Sequence, residues 1–208
     1  MKVALIVITD GRWDYLLDTL ESAKKALNFD FSQKLLIDDS GLTGVELDIE
    51  GFTVVRHQQR LGLAGAIQSA WDHLDPTTDF VFHLEDDFIF TEPVDVGHMI
   101  ALLKANPDLA QMALMRQAWS PEEIAAGGIY NMNPHAYEIQ KDFYSHTRLF
   151  TFNPCVYPYS ITAYGAGLEA EVTERLLDAG YQFAYYGQPD DMARTIHIGV
   201  RRSRGYKL

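Results

Sequence analysis

The sequence predicts a single α/β domain with a mostly parallel central sheet flanked by helices. Two observations carry this expectation. β-rich apolar runs alternate with amphipathic helical runs through the N-terminal half, the pattern of right-handed βαβ units. The first run, residues 3–8, is apolar without alternation, as a strand buried on both faces requires. A third observation points to a site: Thr9-Asp10, Asp38-Asp39 and Glu85-Asp86-Asp87 each stand at the carboxyl end of a predicted strand. Parallel sheets bind ligands beyond those ends, and the topology would gather all three groups at one edge.

Taken in order, the run 3–8 is broken by Thr9-Asp10-Gly11-Arg12. Trp13, Leu16, Leu17, Leu20, Ala23 and Leu27 follow at spacings of three and four, an amphipathic helix. Residues 34–38 form a second strand and 52–56 a short third. Residues 62–74 read as a helix with Leu63, Ala64, Ile67, Ala70, Trp71 and Leu74 on one face, ended before Pro76. The run 80–84 then delivers three consecutive acids, and Phe88-Ile89-Phe90 returns the chain to the core. Carboxylates between two apolar runs need a positive partner when buried, and a divalent cation is one that takes carboxylate oxygens. An acidic turn facing solvent is the plainer alternative.

Residues 93–106 predict a helix and 111–115 a strand. From 116 to about 159 the pattern loosens into turn signals at Gly127-Gly128, Asn133-Pro134 and Asn153-Pro154, with a cluster of aromatic residues that includes Trp119, Tyr130, Tyr137, Tyr144 and Tyr157. Such a stretch reads as a functional loop or as a small aromatic subcore. Residues 160–166 are expected to be a strand. Residues 168–179 form a helix with Leu168, Val172 and Leu176 on one stripe, closed by Gly180 at the C′ position. A strand follows at 181–186, then Asp190-Asp191 and Ile196-His197-Ile198-Gly199.

Composition narrows the function classes. The 208 residues, 47% hydrophobic, carry a net charge of −12, which disfavours nucleic acid and anionic membranes as partners. No apolar run approaches the ~20 residues that span a bilayer. The N-terminal run is too short for a signal peptide and lacks a small-residue cleavage site, so a core strand is expected there. Cys155 is the single cysteine, which rules out an internal disulfide and points to a reducing, cytoplasmic setting. The last eight residues hold Arg201, Arg202, Arg204 and Lys207 and no acid. They are either a disordered tail or a cradle for a local anion.

These pieces together resemble the GT-A glycosyltransferases, most closely the family 2 type, over roughly residues 3–90 and 160–205. The segment from Ile8 through Thr9, Asp10 and Arg12 to Leu16 resembles that family's opening strand and nucleotide-contacting turn. Leu36-Ile37-Asp38-Asp39-Ser40 is similar to its base-binding element. The segment from Arg60 to Ala66 is similar to its Gly/Ala-rich approach to the second helix, and Glu85-Asp86-Asp87 to its DXD metal motif with Glu first. The resemblance implies one Rossmann-like domain, with a nucleotide-binding half over about 1–90 and an acceptor-binding, site-closing half over about 91–208.

It also implies roles. The donor would be a nucleotide-diphosphate sugar, and the cofactor Mn²⁺ or Mg²⁺ neutralising the leaving diphosphate. Asp87 would be the direct metal ligand, Glu85 would touch the ribose or a metal-bound water, and Asp86 lies between them. Asp38 or Asp39 would accept a hydrogen bond from the base, with Thr9 lining the pocket; uracil and guanine both fit, so UDP- and GDP-sugars stay open. His197 resembles the late histidine that completes the metal site, against the plain reading of a packed strand residue. Arg201 and Arg204 would hold the diphosphate. Asp190 or Asp191 resembles the acid that acts as general base in inverting members, although Glu is common there and a helix-start acid after Pro189 is the alternative.

A sugar-nucleotidyltransferase shares the general fold but needs a Gly-rich basic loop after the first strand. The turn Thr9-Asp10-Gly11-Arg12-Trp13-Asp14 has one glycine and two acids. A non-catalytic nucleotide- or glycan-binding relative is the other reading. The acceptor, whether glycan, protein or small molecule, is not fixed by the sequence.

Overall fold

The computed structural model describes residues 1–42 and 48–199. In chain order the elements are β1 (Val3–Thr9), α1 (Trp13–Ala26), β2 (Gln33–Asp38), β3 (Thr53–Arg56), α2 (Gly62–Asp72), β4 (Phe80–Glu85), β5 (Phe88–Phe90), α3 (Val96–Ala105) and β6 (Leu109–Ala113). There follow α4 (Pro121–Ala126), α5 (Ile129–Met132), β7 (Tyr137–Ile139), β8 (Phe143–His146), β9 (Cys155–Pro158), α6 (Glu169–Asp178), β10 (Gln182–Tyr186) and β11 (Thr195–His197).

Nine of the strands form one sheet in the order β3-β2-β1-β4-β9-β6-β10-β8-β7. β3, β2, β1 and β4 run parallel, and β6 and β10 are parallel to each other. β9 is reversed between β4 and β6, and β8 is reversed beside β10. The expected mostly parallel α/β sheet is therefore present, with reversed strands in its second half.

β1 explains the missing alternation at 3–8: all seven of its residues are buried. Its odd positions join one apolar layer, where Leu5, Val7, Leu36, Phe82 and Leu84 pack under Leu16 and Ala23 of α1 and Met99, Ile100 and Leu103 of α3. Its even positions join the other, where Ala4, Ile6, Ile8, Leu35 and Ile37 pack under Ala66, Ile67, Ala70 and Trp71 of α2 and Val172 and Leu176 of α6. In the second layer the Trp71 indole donates to the Tyr157 hydroxyl at 2.9 Å, which satisfies both buried polar atoms.

The stretch 116–159 departs most from expectation. It contains α4, α5, β7, β8 and β9, and all three of these strands enter the central sheet. Several of its aromatic residues are core, with Tyr144, Phe150, Phe152 and Tyr157 buried, whereas Trp119 is exposed. The expected strand at 160–166 is instead a 3-10 turn over Tyr159–Tyr164. The strand there is β9, which pairs with β4 and stops at Pro158. Within that turn only Ile161 is buried, the Thr162 hydroxyl bonds the Tyr159 carbonyl at 2.9 Å, and Gly165 at φ +77° ends it. The strand expected at 111–115 runs from Leu109 to Ala113: the next pair in register is Leu114 with Pro154, where the Leu114 amide donates to the Pro154 carbonyl but proline has no N–H to return.

The pattern of burial predicts how substitutions divide. Leu84→Ala, in the fully buried core of β4, is expected to lower the unfolding free energy by about 2–5 kcal/mol in urea titration. Leu17→Ala, on the 57%-exposed face of α1, should change it by no more than ~0.5 kcal/mol.

Candidate active site at the carboxyl edge of the sheet

β1, β2 and β4 are in register at their ends: Thr9 lies opposite Asp38 and Ile8 opposite Glu85. The three acidic strand ends therefore meet at one edge. Gly11 makes the first turn possible. Its φ is +98°, and a Cβ there would stand 2.8 Å from that of Ser40 on the neighbouring strand end.

The acid triplet is the turn between β4 and β5. Asp86 and Asp87 are buried, and Glu85 keeps only a partial solvent face. A cation of the chain itself reaches them. Arg12 donates from Nε to Asp10 at 3.1 Å, from Nη1 to Asp87 at 2.8 Å, and from Nη2 to Asp86. Asp86 also accepts from the Thr9 hydroxyl at 2.6 Å, and its carbonyl accepts from Thr19 of α1 at 2.8 Å.

The electrostatics separate the acids. Burial pushes the Asp86 carboxyl up to about 7, against the opposing pull of Arg12 and Thr9. Burial, then the charges of Asp87, Glu169 and Asp86, raise Glu85 well above the usual carboxylate range. Burial raises Asp10 too, partly offset by Arg12 and Arg60. Burial also acts on Asp87, but hydrogen bonding from His197 and the charge of Arg12 outweigh it and hold Asp87 below its ordinary value. Arg12 itself is raised, because Asp86, Asp87 and Asp10 outweigh its own burial.

His197 arrives from β11, which pairs antiparallel with β5 so that His197 lies opposite Phe88. The next residue fixes the join, with the Ile198 amide donating to the Asp87 carbonyl at 2.8 Å. His197 Nε2 is 3.2 Å from Asp87 Oδ2, and its ring rests between Phe88 and Trp119 at centroid distances of 4.9 and 4.3 Å. Gly199 closes over this pair: a Cβ there would collide with Asp87 Oδ2 and stand 2.7 Å from His197 Nε2. Asp87 Oδ1 is buried and has no hydrogen-bond partner, and His197 Nδ1 likewise has none.

These features fit a divalent cation. One orphaned carboxylate oxygen and an imidazole nitrogen suit Mn²⁺, and carboxylate oxygen suits Mg²⁺. Among the described residues no group of three His, Cys, Asp or Glu side chains is gathered as for a metal ion. Such a cation would thus draw the rest of its shell from a bound phosphate and water.

The second strand end is built differently. Asp38 takes the Ser40 amide at 3.0 Å and Arg56 Nε at 2.9 Å. Asp39 takes His57 Nδ1 at 2.8 Å and the Leu61 and Gly62 amides at 2.7 and 2.9 Å, so it holds the start of α2. Arg60 donates to the carbonyls of Ser40 and Asp10, and its buried Nη1 has no partner.

Asp190 and Asp191 are exposed in the link from β10 to β11. Asp191 Oδ2 accepts from the Gln188 amide at 2.8 Å and lies 3.9 Å from Arg194. No hydrogen bond joins either acid to Asp87 or His197. Arg201 and Arg204 lie outside the described residues.

Sequence reading missed three residues beside this site, Arg116, Gln117 and Glu123. Arg116 and Glu123 form a bidentate pair at 2.8 and 3.1 Å, and the Trp119 amide donates to Glu123 at 2.7 Å. Gln117 exchanges two hydrogen bonds with the His197 backbone. A pocket lined by Met115, Arg116, Gln117, Glu123, Asn153 and Tyr185 opens next to them. The one available sequence signal was Ser120-Pro121-Glu122-Glu123, a helix start with Pro at N1 and acids in the first turn.

The sequence profile of glycosyl transferase family 2 matches residues 4–161, and the chain belongs to that family. Its fold is GT-A. A crystal structure of GalNAc-T7 with UDP, GalNAc and Mn²⁺ superposes with a TM-score of 0.66 at 12% identity, covering 100% of this chain and 45% of that one. The mannosyltransferase PcManGT from Pyrobaculum calidifontis, in complex with GDP-Man and Mn²⁺, gives 0.64 at 14% identity over 99% of this chain and 58% of that one. S. aureus TarS residues 1–349 give 0.58 at 13% identity over 95% and 60%. The chain therefore spans about half the length of these relatives. No curated protein sequence matches it. Among the described residues no helix is long and apolar enough to cross a membrane.

Two outcomes follow from the acid cluster. Asp86 is raised from 3.8 to about 7 in the folded chain, so its contribution to stability is fully present below the unfolded value and is lost as pH rises through the folded one. Glu85 acts with the same sign, whereas Asp87, lowered, is ionised in both states above ~pH 5 and adds no slope there. Asp86→Asn should remove about 2–3 kcal/mol of the stability difference between ~pH 5 and ~pH 8 in urea titrations. Arg12→Ala leaves buried carboxylates unpaired and should cost about 3–5 kcal/mol at neutral pH, less in the Asp86→Asn background because the two share one interaction.

Proposed function

We propose that this chain is the catalytic domain of a metal-dependent glycosyltransferase. It moves a sugar from a nucleotide-diphosphate sugar onto an acceptor hydroxyl. The observation that carries this reading is the convergence of Asp87 and His197 at the carboxyl edge of the sheet, with Asp87 Oδ1 buried and unsatisfied. Family membership supports the reaction class, and the UDP and GDP-Man bound in the similar structures support a UDP- or GDP-sugar as donor.

Asp87 and His197 would hold Mn²⁺ or Mg²⁺, which when bound offsets the charge that develops on the departing nucleoside diphosphate. The chain's own residues do the rest. Thr9 lines the nucleotide side, and Asp38 or Asp39 accepts from the base. Asp39 already takes three hydrogen bonds within the chain and Asp38 two, so a base would share an acceptor. Arg60 has one buried donor to spare and would reach the nucleotide beside Asp10. Arg12 balances Asp86 and Asp87 while the donor binds, and Glu85 turns toward the ribose. Arg201 and Arg204 would grip the diphosphate.

On the acceptor side, Trp119 presents a 38%-exposed ring against His197, a stacking surface for a sugar or other flat acceptor. Asp191, or Asp190 beside it, would take the proton of the attacking hydroxyl as the anomeric carbon is approached from the face opposite the leaving group. The product is then of inverted configuration. Asp191 is exposed and its Oδ2 takes the Gln188 amide, which orients the carboxylate.

The non-catalytic reading has one observation in its favour: Arg12 pairs with three of the acids, which reduces their need for a further cation. Turnover separates the two. Thermal shift with UDP, GDP, CMP and TDP, each with and without Mn²⁺, should show stabilisation by one of UDP or GDP that is larger with Mn²⁺. The matching nucleotide sugar should be turned over, and Asp87→Ala should reduce that turnover at least ~100-fold. Binding without turnover would select the binding module instead, and a retained anomeric configuration in the product would remove Asp190 and Asp191 as bases.

A further inference from the structure

We infer that Gln117 is the positioning residue of His197, and so sets the metal affinity of the site without touching the metal. This rests on the metal reading proposed above. β11 is three residues long and has little ladder of its own. One edge pairs with β5. Along the other, Arg116 bridges Thr195 in parallel and the Gln117 amide donates to the Thr195 carbonyl at 3.2 Å.

At His197 the backbone pairing on that side gives way to a side chain. Gln117 Oε1 accepts from the His197 amide at 2.8 Å and Gln117 Nε2 donates to the His197 carbonyl at 3.0 Å. One carboxamide thus replaces both bonds that a neighbouring strand would supply. The Ile198 amide is held by the Asp87 carbonyl. His197 is therefore clamped between the acid turn and Gln117, with its ring at 3.2 Å from Asp87.

Only a carboxamide side chain offers a donor and an acceptor at this spacing without charge. Glu would set an extra anion beside Asp87, and an apolar residue would leave the His197 amide and carbonyl to find water. The segment carrying Gln117 is itself fixed by the Arg116–Glu123 pair and by the Trp119 amide on Glu123, so the clamp stands on a rigid base.

The test uses the whole chain and Mn²⁺ as probe. Mn²⁺ affinity is measured by electron paramagnetic resonance in the presence of UDP and, in parallel, GDP. Gln117→Met keeps length and packing but removes both hydrogen bonds. It should weaken Mn²⁺ binding about tenfold while leaving metal-free nucleotide affinity and the metal-free melting midpoint as in the wild type. Mn²⁺ affinity within twofold of wild type would overturn the inference. So would a parallel fall in melting midpoint and metal-free nucleotide affinity, which marks a packing role only. His197→Ala is measured alongside. If the wild type shows no specific Mn²⁺ binding, or His197→Ala binds Mn²⁺ as tightly as the wild type, the metal reading fails together with the clamp; loss in His197→Ala with wild-type affinity in Gln117→Met defeats the clamp alone.

Discussion

The site depends on one guanidinium. Asp10, Asp86 and Asp87 are buried at the junction of β1 with the β4–β5 turn, and Arg12 is the cation that pairs with all three. Taking carboxylates out of water costs several kcal/mol each, and like charges so close add to it. A planar fork of donors can serve several carboxylates at once, which a Lys ammonium does less well. Because Arg12 comes from the turn after β1 and two of its partners from the turn after β4, the pairing also ties the carboxyl ends of adjacent strands.

The pairing is incomplete, and its shortfall has chemical meaning. Three carboxylates against one guanidinium leave two formal negative charges when all are ionised. The fold reduces that burden by raising Asp86 and Asp10 while holding Asp87 low. The remaining negative charge thus concentrates on Asp87, whose second oxygen has no partner inside the chain. Asp39 is the contrast. It is just as buried, but both of its oxygens are filled by the amides of Leu61 and Gly62 and by His57. Two acids at strand ends on either side of β1 therefore differ: one brackets the start of α2, the other keeps a buried oxygen with no partner in the chain.

What the sequence made legible follows from locality. β1, β2 and β4 are aliphatic runs with their acids at the ends, and both the runs and the edge they share could be read without a structure. β8 and β9 could not. Phe143-Tyr144-Ser145-His146 has no aliphatic residue, and Cys155-Val156-Tyr157-Pro158 lies between two prolines, so each reads as a turn or loop although each is in the central sheet. The acid triplet's need for a positive partner was legible, but not that Arg12 supplies one. The pairing spans more than seventy residues and exists only because two strands are neighbours. His197 was singled out through family resemblance and the acids upstream. Gln117 had no sequence signal, since a glutamine after a strand is ordinary until its partner is known.

The reversed strand gives the two sides of the site their separation. β9 enters the sheet at its carboxyl edge between β4 and β6, with His83 opposite Cys155 and Ala113 opposite Cys155 on the other side. Asn153 and Pro154 therefore occupy the edge between Glu85 and Met115, and the segment 115–119 leaves β6 one strand further from the acids than in a continuous parallel sheet. The β5–β11 ribbon spans that interval, pairing with Arg116 and Gln117 along one edge and presenting His197 to Asp87 along the other. The side at the acid turn is thus fixed by charge at Arg12, and the side at β6 by hydrogen bonds at Gln117 and by the Arg116–Glu123 pair. His197 is the residue on which both constraints act, because its backbone belongs to one side and its imidazole to the other.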